Sequence, residues 1–590
     1  MTRAAPSLPP PSKKRKIQKD SELVKSIQRL EEQLTTAATT NNSLNPLADL
    51  LELAFAATDA QDTSKAIYAL YRVFVVLISA GKLGVVSDEA ARVVKAWLWE
   101  RLNSYVDFLC GLLKDEEKLL RTSSLQILFS LQKHLSTSAG SADSQPQFHV
   151  AHFKKIVSGL LLCPASGRST QSTDGVLDPD VLQLFHETWF SIHDDVRWFF
   201  LRESGLTSEY PNLPVNLLAI LEGLNTFPTE ASELNAWWVS EMGSKPPRPK
   251  PSKKRGAEED SSDDEPDKDE DDVDDWRKFF DEDTTAKDAS KPKTGPRLHK
   301  LTVHQSLHSL SSHRAVFTCA WLALLPKLSS VGDVSTSKSL SLRALNVMHR
   351  GVMPHLTRPV LVMDWVGGNV DHGGTIGLLA LNALFILMKE YNLDYPSFYT
   401  KLYAFLDRDV LHSKHRARFF RLTELFLSST HIPAALLASF IKRLARLSLS
   451  APPAAVIMII PFTYNILKGH PTLMGMIHRP DAESADPFDA KEPNPLLTHA
   501  IDSSLWELNT HREHYIAGVS TLTKIFSEAF TKQAYSMEDF LDHTYGTLFD
   551  ADANRKIKKE PPLAVDFGKQ TKLFSSHEEG DVVSELWSVV

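Results

Sequence analysis

One stretch of this sequence cannot belong to a folded core, and it divides everything else. From Lys245 to Lys300 the chain runs through KPPRPKPSKKR, then EEDSSDDEPDKDEDDVDD, then KDASKPKTGPRLHK. Such charge density, with Pro and Ser between, buries too little apolar surface to offset the entropy of ordering. Glu258–Asp283 alone holds 16 acidic and 3 basic residues. Removing its −13 from the total of −8 leaves +5, so the rest of the chain is mildly basic. With 590 residues and 42% hydrophobic content, the chain also exceeds what a single core accommodates. The expected layout is a basic disordered tail (1–20), a helical domain (21–243), a disordered acidic linker (244–299), a second helical domain (300–550) and a C-terminal tail (551–590).

Both flanks read as helix. Leu47, Leu50, Leu51, Ala54 and Phe55 recur at three- and four-residue steps, as do Ile67, Leu70, Tyr71, Phe74, Val75 and Ile78. Further helical runs cover 90–113, 117–134, 148–162, 179–200 and 215–224, with no sustained two-residue alternation. Successive amphipathic helices separated by turns predict an all-α, two-lobed helical-repeat architecture, HEAT-like in the loose sense of an α-solenoid. A compact irregular bundle is the alternative. The best-defined helix runs from Pro433 to Leu449. Leu437, Phe440, Ile441, Leu444 and Leu447 share one face, and Pro452 and Pro453 stop it. Lys442, Arg443 and Arg446 fall on the other side as a basic outer stripe. A neighbouring run, LHSKHRARFFRL, adds Lys414, Arg416, Arg418 and Arg421. Such a patch suits sequence-independent contact with RNA phosphates or a protein groove, and it also fits a solvated face.

Three strings in this region carry a resemblance: LDYPSFYTKLY, RFFRLTELFLSSTHIPAALLASFIKRLARLSL and SSLWELNTHREHY. They resemble the CCAAT-binding-factor (CBF) domain of the nucleolar complex proteins, over roughly Lys300 to Thr547, and in detail the family member tied to the small ribosomal subunit. The resemblance implies a non-enzymatic assembly scaffold within the small-subunit processome. It implies nucleolar protein fourteen as partner, pre-rRNA as a further contact, and no cofactor or small-molecule substrate. A helical-repeat nuclear-transport adaptor is the competing function, since it too shows amphipathic helix pairs and acidic linkers.

Short signals fit a nuclear protein. Lys13, Lys14, Arg15 and Lys16 form a basic cluster of the import type, and Lys253, Lys254 and Arg255 form a second. The N-terminus lacks the apolar core of a secretory signal. The apolar runs 376–388 and 454–461 fall short of the ~18–20 residues that span a bilayer, so no membrane is expected. Cys110, Cys163 and Cys319 lie far apart and form no C-x-x-C pair. His299, His304, His308 and His313 lack a carboxylate or cysteine at ligand spacing and read as solvated or hydrogen-bonding groups rather than a metal site. VGGNVDHGG (366–374) has neither the Lys-Ser/Thr of a P-loop nor a preceding strand, and reads as a flexible loop. No Ser–His–Asp or Cys–His arrangement stands out, so no catalytic residue is assigned.

Two aromatic clusters are out of place for spacers. Trp276, Phe279 and Phe280 lie inside the acidic run, and Trp587 lies near the end of the apolar C-terminal tail. Rings in such segments suit docking peptides, or packing back onto their own domain. Ser261 and Ser262 each precede an acidic residue by three positions, the pattern of acidophilic phosphorylation. The 470–494 excursion reads as a loop, and Asp502 or Ser503 as the cap of a helix running on from Leu505.

Overall fold

Helices start where the sequence supplies a cap or a proline. Asp59 accepts the N–H groups of Gln61 at 3.0 Å and Asp62 at 3.3 Å, satisfying donors that a first helical turn leaves orphaned. Pro46 and Pro179 sit in first turns, where their missing N–H costs nothing. The computed structural model describes residues 22–246 and 302–556, apart from 41, 85–88, 140–145, 169–173, 207–211, 396, 414, 430 and 479–485. Among the described residues there is no β-strand. The fold is all-α.

Two compact units divide at Phe405/Leu406. The first opens with α1 (Glu22–Thr40), α2 (Pro46–Ala56), α3 (Ala60–Ser79), α4 (Glu89–Leu112), α5 (Lys118–Ala139) and α6 (Val150–Leu162). It continues with α7 (Pro179–Phe185), α8 (Asp194–Leu206) and α9 (Leu213–Glu222). Each of these helices packs on near neighbours in sequence: α1 on α2 and α3, α3 on α5, α4 on α5 and α6, α6 on α8 and α9. That is the quasi-one-dimensional pattern of a helical repeat. An aromatic seam holds its C-terminal part, with Phe129 stacked on Trp189 at 4.3 Å and Phe148 on Phe199 at 3.9 Å. The start of α8 clamps the irregular segment that follows α9. Asp195 accepts three backbone N–H groups, from Val196 at 2.8 Å, Trp238 at 3.0 Å and Val239 at 2.9 Å. Beside it, Asp194 accepts from Ala236 at 3.0 Å and pairs with the Arg197 guanidinium.

The same unit resumes after the acidic stretch with α10 (Val303–Leu307), α11 (Leu310–Ser330), α12 (Val334–Val347), α13 (Met363–Asp371), α14 (Gly374–Tyr391) and α15 (Phe398–Ala404). Helix α11 packs along α8, and the Trp198 indole N–H donates to Ser312 Oγ at 3.0 Å. Helices from both sides of the acidic stretch therefore share a core. The division of the fold falls at Phe405 and not at that stretch, because α8 and α11 bury their faces against each other.

Two local expectations change here. Residues 366–371 are helical, as the end of α13, and only Gly373 and Gly374 turn the chain, with φ of +66° and +57°. Helix α14 has 18 residues, extending the apolar run at both ends to a length that could cross a bilayer. Yet it spends Leu379, Leu381, Leu384 and Leu387 on the core of its unit.

The second unit contains α16 (Arg408–His412), α17 (Arg416–Leu427), α18 (Ala434–Ser448) and α19 (Pro453–Gly469). After an irregular segment come α20 (Trp506–Thr510), α21 (Ala517–Thr523), α22 (Glu538–Leu541) and α23 (Tyr545–Ala553). Helix α19 is the centre: Val456, Ile457, Ile460 and Tyr464 form one cluster with Val519 and Ile525. The helix expected onward from Leu505 is instead broken into short pieces, and Ser503 does not cap it; its hydroxyl donates to Asp486 at 2.5 Å.

Candidate functional site: the basic residues of α17 and α18

Helix α18 forms as its sequence dictates. Pro433 precedes its first turn, and Leu437, Phe440, Ile441 and Leu444 are fully buried on one face. At ~1.5–3 kcal/mol for each large apolar side chain buried, that face anchors the helix. The flank beside it is where the expected stripe fails. Lys442 is 0% exposed. Its ammonium lies 2.9 Å from Asp486, 2.7 Å from Glu507 and 2.7 Å from the Ser504 carbonyl it donates to. Lys442 follows Ile441 by ~100° around the axis, and the small residues Ala438, Ser439, Ala445 and Ser448 let the 486–508 segment pack along that flank. An outward lysine was the expectation; the structure encloses it.

Arg446, one turn on, completes a network. It lies 3.2 Å from Asp486 and 3.1 Å from Glu507, and sits over the Trp506 ring at 5.2 Å. Glu507 is fully buried, so its charge depends on these two cations. Burial by itself would raise the Asp486 carboxyl. The Ser503 hydroxyl, the Lys442 ammonium, the Phe488 amide and the Trp506 indole together hold it well below the usual carboxylate range. Two positive and two negative groups leave the cluster formally neutral, which is a poor phosphate site.

The remaining candidates are also engaged within the fold. Arg443 Nε donates to the Leu406 carbonyl at 2.7 Å. Arg416 reaches the Leu411 and His543 carbonyls, each at 2.9 Å. Burial lowers its affinity for the proton, offset in part by Tyr545. Arg421 forms a two-pronged ion pair with Glu538 at the surface. Arg418 also has intramolecular interactions. Thus the α17 set engages residues 538–543, whereas Lys442 and Arg446 engage 486–507. The structure does not join them in one patch. Lys414 lies outside the described residues, as do Lys13, Lys14, Arg15, Lys16, Lys253, Lys254, Arg255, Trp276, Phe279, Phe280 and Trp587.

No reactive constellation emerges among the described residues. His304 and His308 both bond the Met242 carbonyl, at 3.3 and 2.9 Å, and His313 bonds that of Leu307 at 2.8 Å. They are hydrogen-bonding groups, and His304 and His313 are buried rather than solvated. No group of three or more His, Cys, Asp or Glu is placed to hold a metal ion among those residues. Burial pushes the Cys110 and Cys163 thiols up to about 12, which leaves no thiolate for nucleophilic chemistry at neutral pH. What sequence reasoning missed is Asp486, Ser503, Trp506 and Glu507. Their only advance signal was the run of small residues on the flank of α18.

Comparison with known proteins decides the assignment. Residues 377–523 match the CBF/Mak21 family, and residues 17–209 match a family described as Nucleolar complex protein 4-like, TPR repeats. The chain carries both family segments. Nucleolar complex protein 4 of Saccharomyces cerevisiae is 42% identical over 302 residues, which is 47% of this chain and 53% of that protein. The human Nucleolar complex protein 4 homolog is 42% identical over 256 residues, 43% of this chain and 48% of that protein. An uncharacterised Schizosaccharomyces pombe protein is 52% identical over 261 residues, 44% of this chain and 52% of that protein. The aligned stretch spans about half the length of these curated relatives. The expected resemblance to the nucleolar complex proteins is borne out, with TPR rather than HEAT as the description of the N-terminal repeats. The names of the yeast and human relatives agree with the expected nucleolar location.

Proposed function

We propose that this chain is a non-enzymatic assembly scaffold of ribosome biogenesis in the nucleolus, acting in small-subunit maturation within the small-subunit processome and bound to nucleolar protein fourteen. One observation carries the reading: both halves of the chain match families of the nucleolar complex proteins, one of them named for nucleolar complex protein 4 itself. The descriptions of those families name repeats and a complex, not a reaction. The geometry is consistent with a scaffold, since the buried polar groups of α8 and α18 tie chain segments together.

Within this reading the mechanism is architectural. Lys13–Lys16 and Lys253–Arg255 serve nuclear import. Trp276, Phe279, Phe280 and Trp587 are docking rings. Contact with pre-rRNA, assigned to the basic residues of α17 and α18, narrows to the guanidinium faces still reached by solvent, Arg421 and Arg446. A protein partner ranks ahead of RNA at these positions, because each guanidinium is already matched by a carboxylate.

The test is affinity purification of the tagged full chain from nuclear extract, with mass spectrometry of the bound proteins and sequencing of the bound RNA. Small-subunit assembly factors with pre-rRNA are expected. Transport receptors with their small GTPase, and no pre-rRNA, would overturn the reading in favour of a transport adaptor.

A further inference from the structure

Helix α23 ends the described chain with a face that nothing in the described structure covers. None of its residues is buried. Tyr545, Phe549 and Asp552 recur at i, i+4 and i+7, so they form one stripe. Tyr545 is 62% exposed and Phe549 75%. Leu548, on the inner side, packs on the α19 cluster and fixes which way the stripe points. The surroundings are acidic. Asp542, Asp550 and Asp552 are exposed, as are Glu538 and Asp539 on α22. Two exposed rings rimmed by carboxylates repel phosphate and suit an apolar segment that carries positive charge.

The chain supplies such a segment directly after the helix. Of the residues beyond Lys556, Ile557–Phe574 reads IKKEPPLAVDFGKQTKLF. Lys558, Lys559, Lys569 and Lys572 outnumber Glu560 and Asp566 there. Leu563, Val565 and Phe567 alternate, so an extended strand of chain would present all three to one side. Pro561 and Pro562 suit the turn that a return over the helix needs. The span is short. Nine helical residues cover ~13 Å, which ~4 extended residues bridge at ~3.3 Å each.

We propose that residues Pro561–Phe574 fold back over the outer face of α23. Leu563, Val565 and Phe567 cover Tyr545 and Phe549, while Lys569 and Lys572 meet Asp550 and Asp552. The chain thus closes its own C-terminal edge, and the surface opens to other segments only when this one is displaced. The inference stands on the α23 face and the adjoining sequence, independently of the nucleolar assignment.

The experiment uses the purified full chain at low concentration. Zero-length amine–carboxyl crosslinking is applied to an equal mixture of isotopically light and heavy protein, with hydrogen exchange measured on α23. The expected result is crosslinks from Lys569 or Lys572 to Asp550 or Asp552 within single chains. Phe567→Ser should abolish them and speed α23 amide exchange about tenfold. Phe549→Ser, at an exposed position, should abolish the crosslinks without unfolding α19 or α21. Crosslinks only between light and heavy chains would overturn the proposal in favour of a second copy. Absence of these crosslinks, with α23 exchange unchanged by Phe567→Ser, would equally overturn it.

Discussion

The clamp at the start of α8 and the network on the flank of α18 solve one problem in two ways. Each pins an irregular segment to a helix with buried charge. At α8 the carboxylate of Asp195 meets backbone N–H groups and no cation of its own, and burial pushes it up to about 6 against the pull of those donors. At α18 the carboxylates of Asp486 and Glu507 meet Lys442 and Arg446, and Asp486 is held low. The lesson is that the sign of a pH response follows from what the carboxylate faces, not from burial alone. A second lesson is that basic residues in a mildly basic domain can be consumed internally before any ligand arrives.

The largest effect should come from breaking the α18 network. Lys442→Ala leaves Glu507 buried with only Arg446, and removing one partner of a buried pair costs ~3–5 kcal/mol. Urea unfolding followed by hydrogen exchange in residues 434–469 and 500–525 should show that loss. The outward stripe expected from sequence required almost none, so this substitution separates the two pictures sharply.

Acid should next drive the two clamps apart. The folded pKa of Asp195 is above its unfolded value of ~3.9. Its contribution is therefore fully present below pH ~4 and is lost as pH rises through about 6. Asp486 is depressed, so its contribution is present above pH ~4 and lost as pH falls toward its folded value. Between pH 7 and 5 the Trp238 and Val239 amides should become better protected, while the 503–507 segment stays unchanged. Below pH 4 that segment should loosen. Parallel loosening of both between pH 7 and 5 would contradict the comparison.

Asp195→Asn is expected to cost ~1–3 kcal/mol, because the amide turns one acceptor into a donor facing a buried N–H. It should also flatten the rise in protection on acidification. Smallest of all is Arg421→Ala. Its ion pair with Glu538 is at the surface, where such pairs contribute ~0.2–1 kcal/mol. Thermal unfolding of that variant should nearly match the parent.

The apolar side of this architecture was legible because it is local. Leu437, Phe440, Ile441 and Leu444 declare their face by spacing, and every one is buried. The helix of Ala434–Ser448 was bounded to within a residue by its flanking prolines. The polar side was not legible because its partners are remote. Lys442 looks outward on a helical wheel until Asp486 and Glu507, 44 and 65 positions on, arrive at 2.9 and 2.7 Å. Gly367 and Gly368 suggested a loop by composition, yet packing of α13 on α14 holds them helical. The acidic stretch marks a real change in composition, but only tertiary contact shows that α8 and α11 join across it.

The central structural claim is that the basic side chains of α18 hold their unit together. A double-mutant cycle on Lys442 and Glu507 in the full chain tests it most directly, with stability of the second unit read by hydrogen exchange of α18 and α19 in urea. Lys442→Met and Glu507→Gln should each destabilise strongly, and the double variant should recover a coupling of about 2 kcal/mol or more, within the range for residues in contact. Single effects that simply add, with Lys442→Met near neutral, would show that the lysine faces solvent and that the enclosed network does not hold the unit.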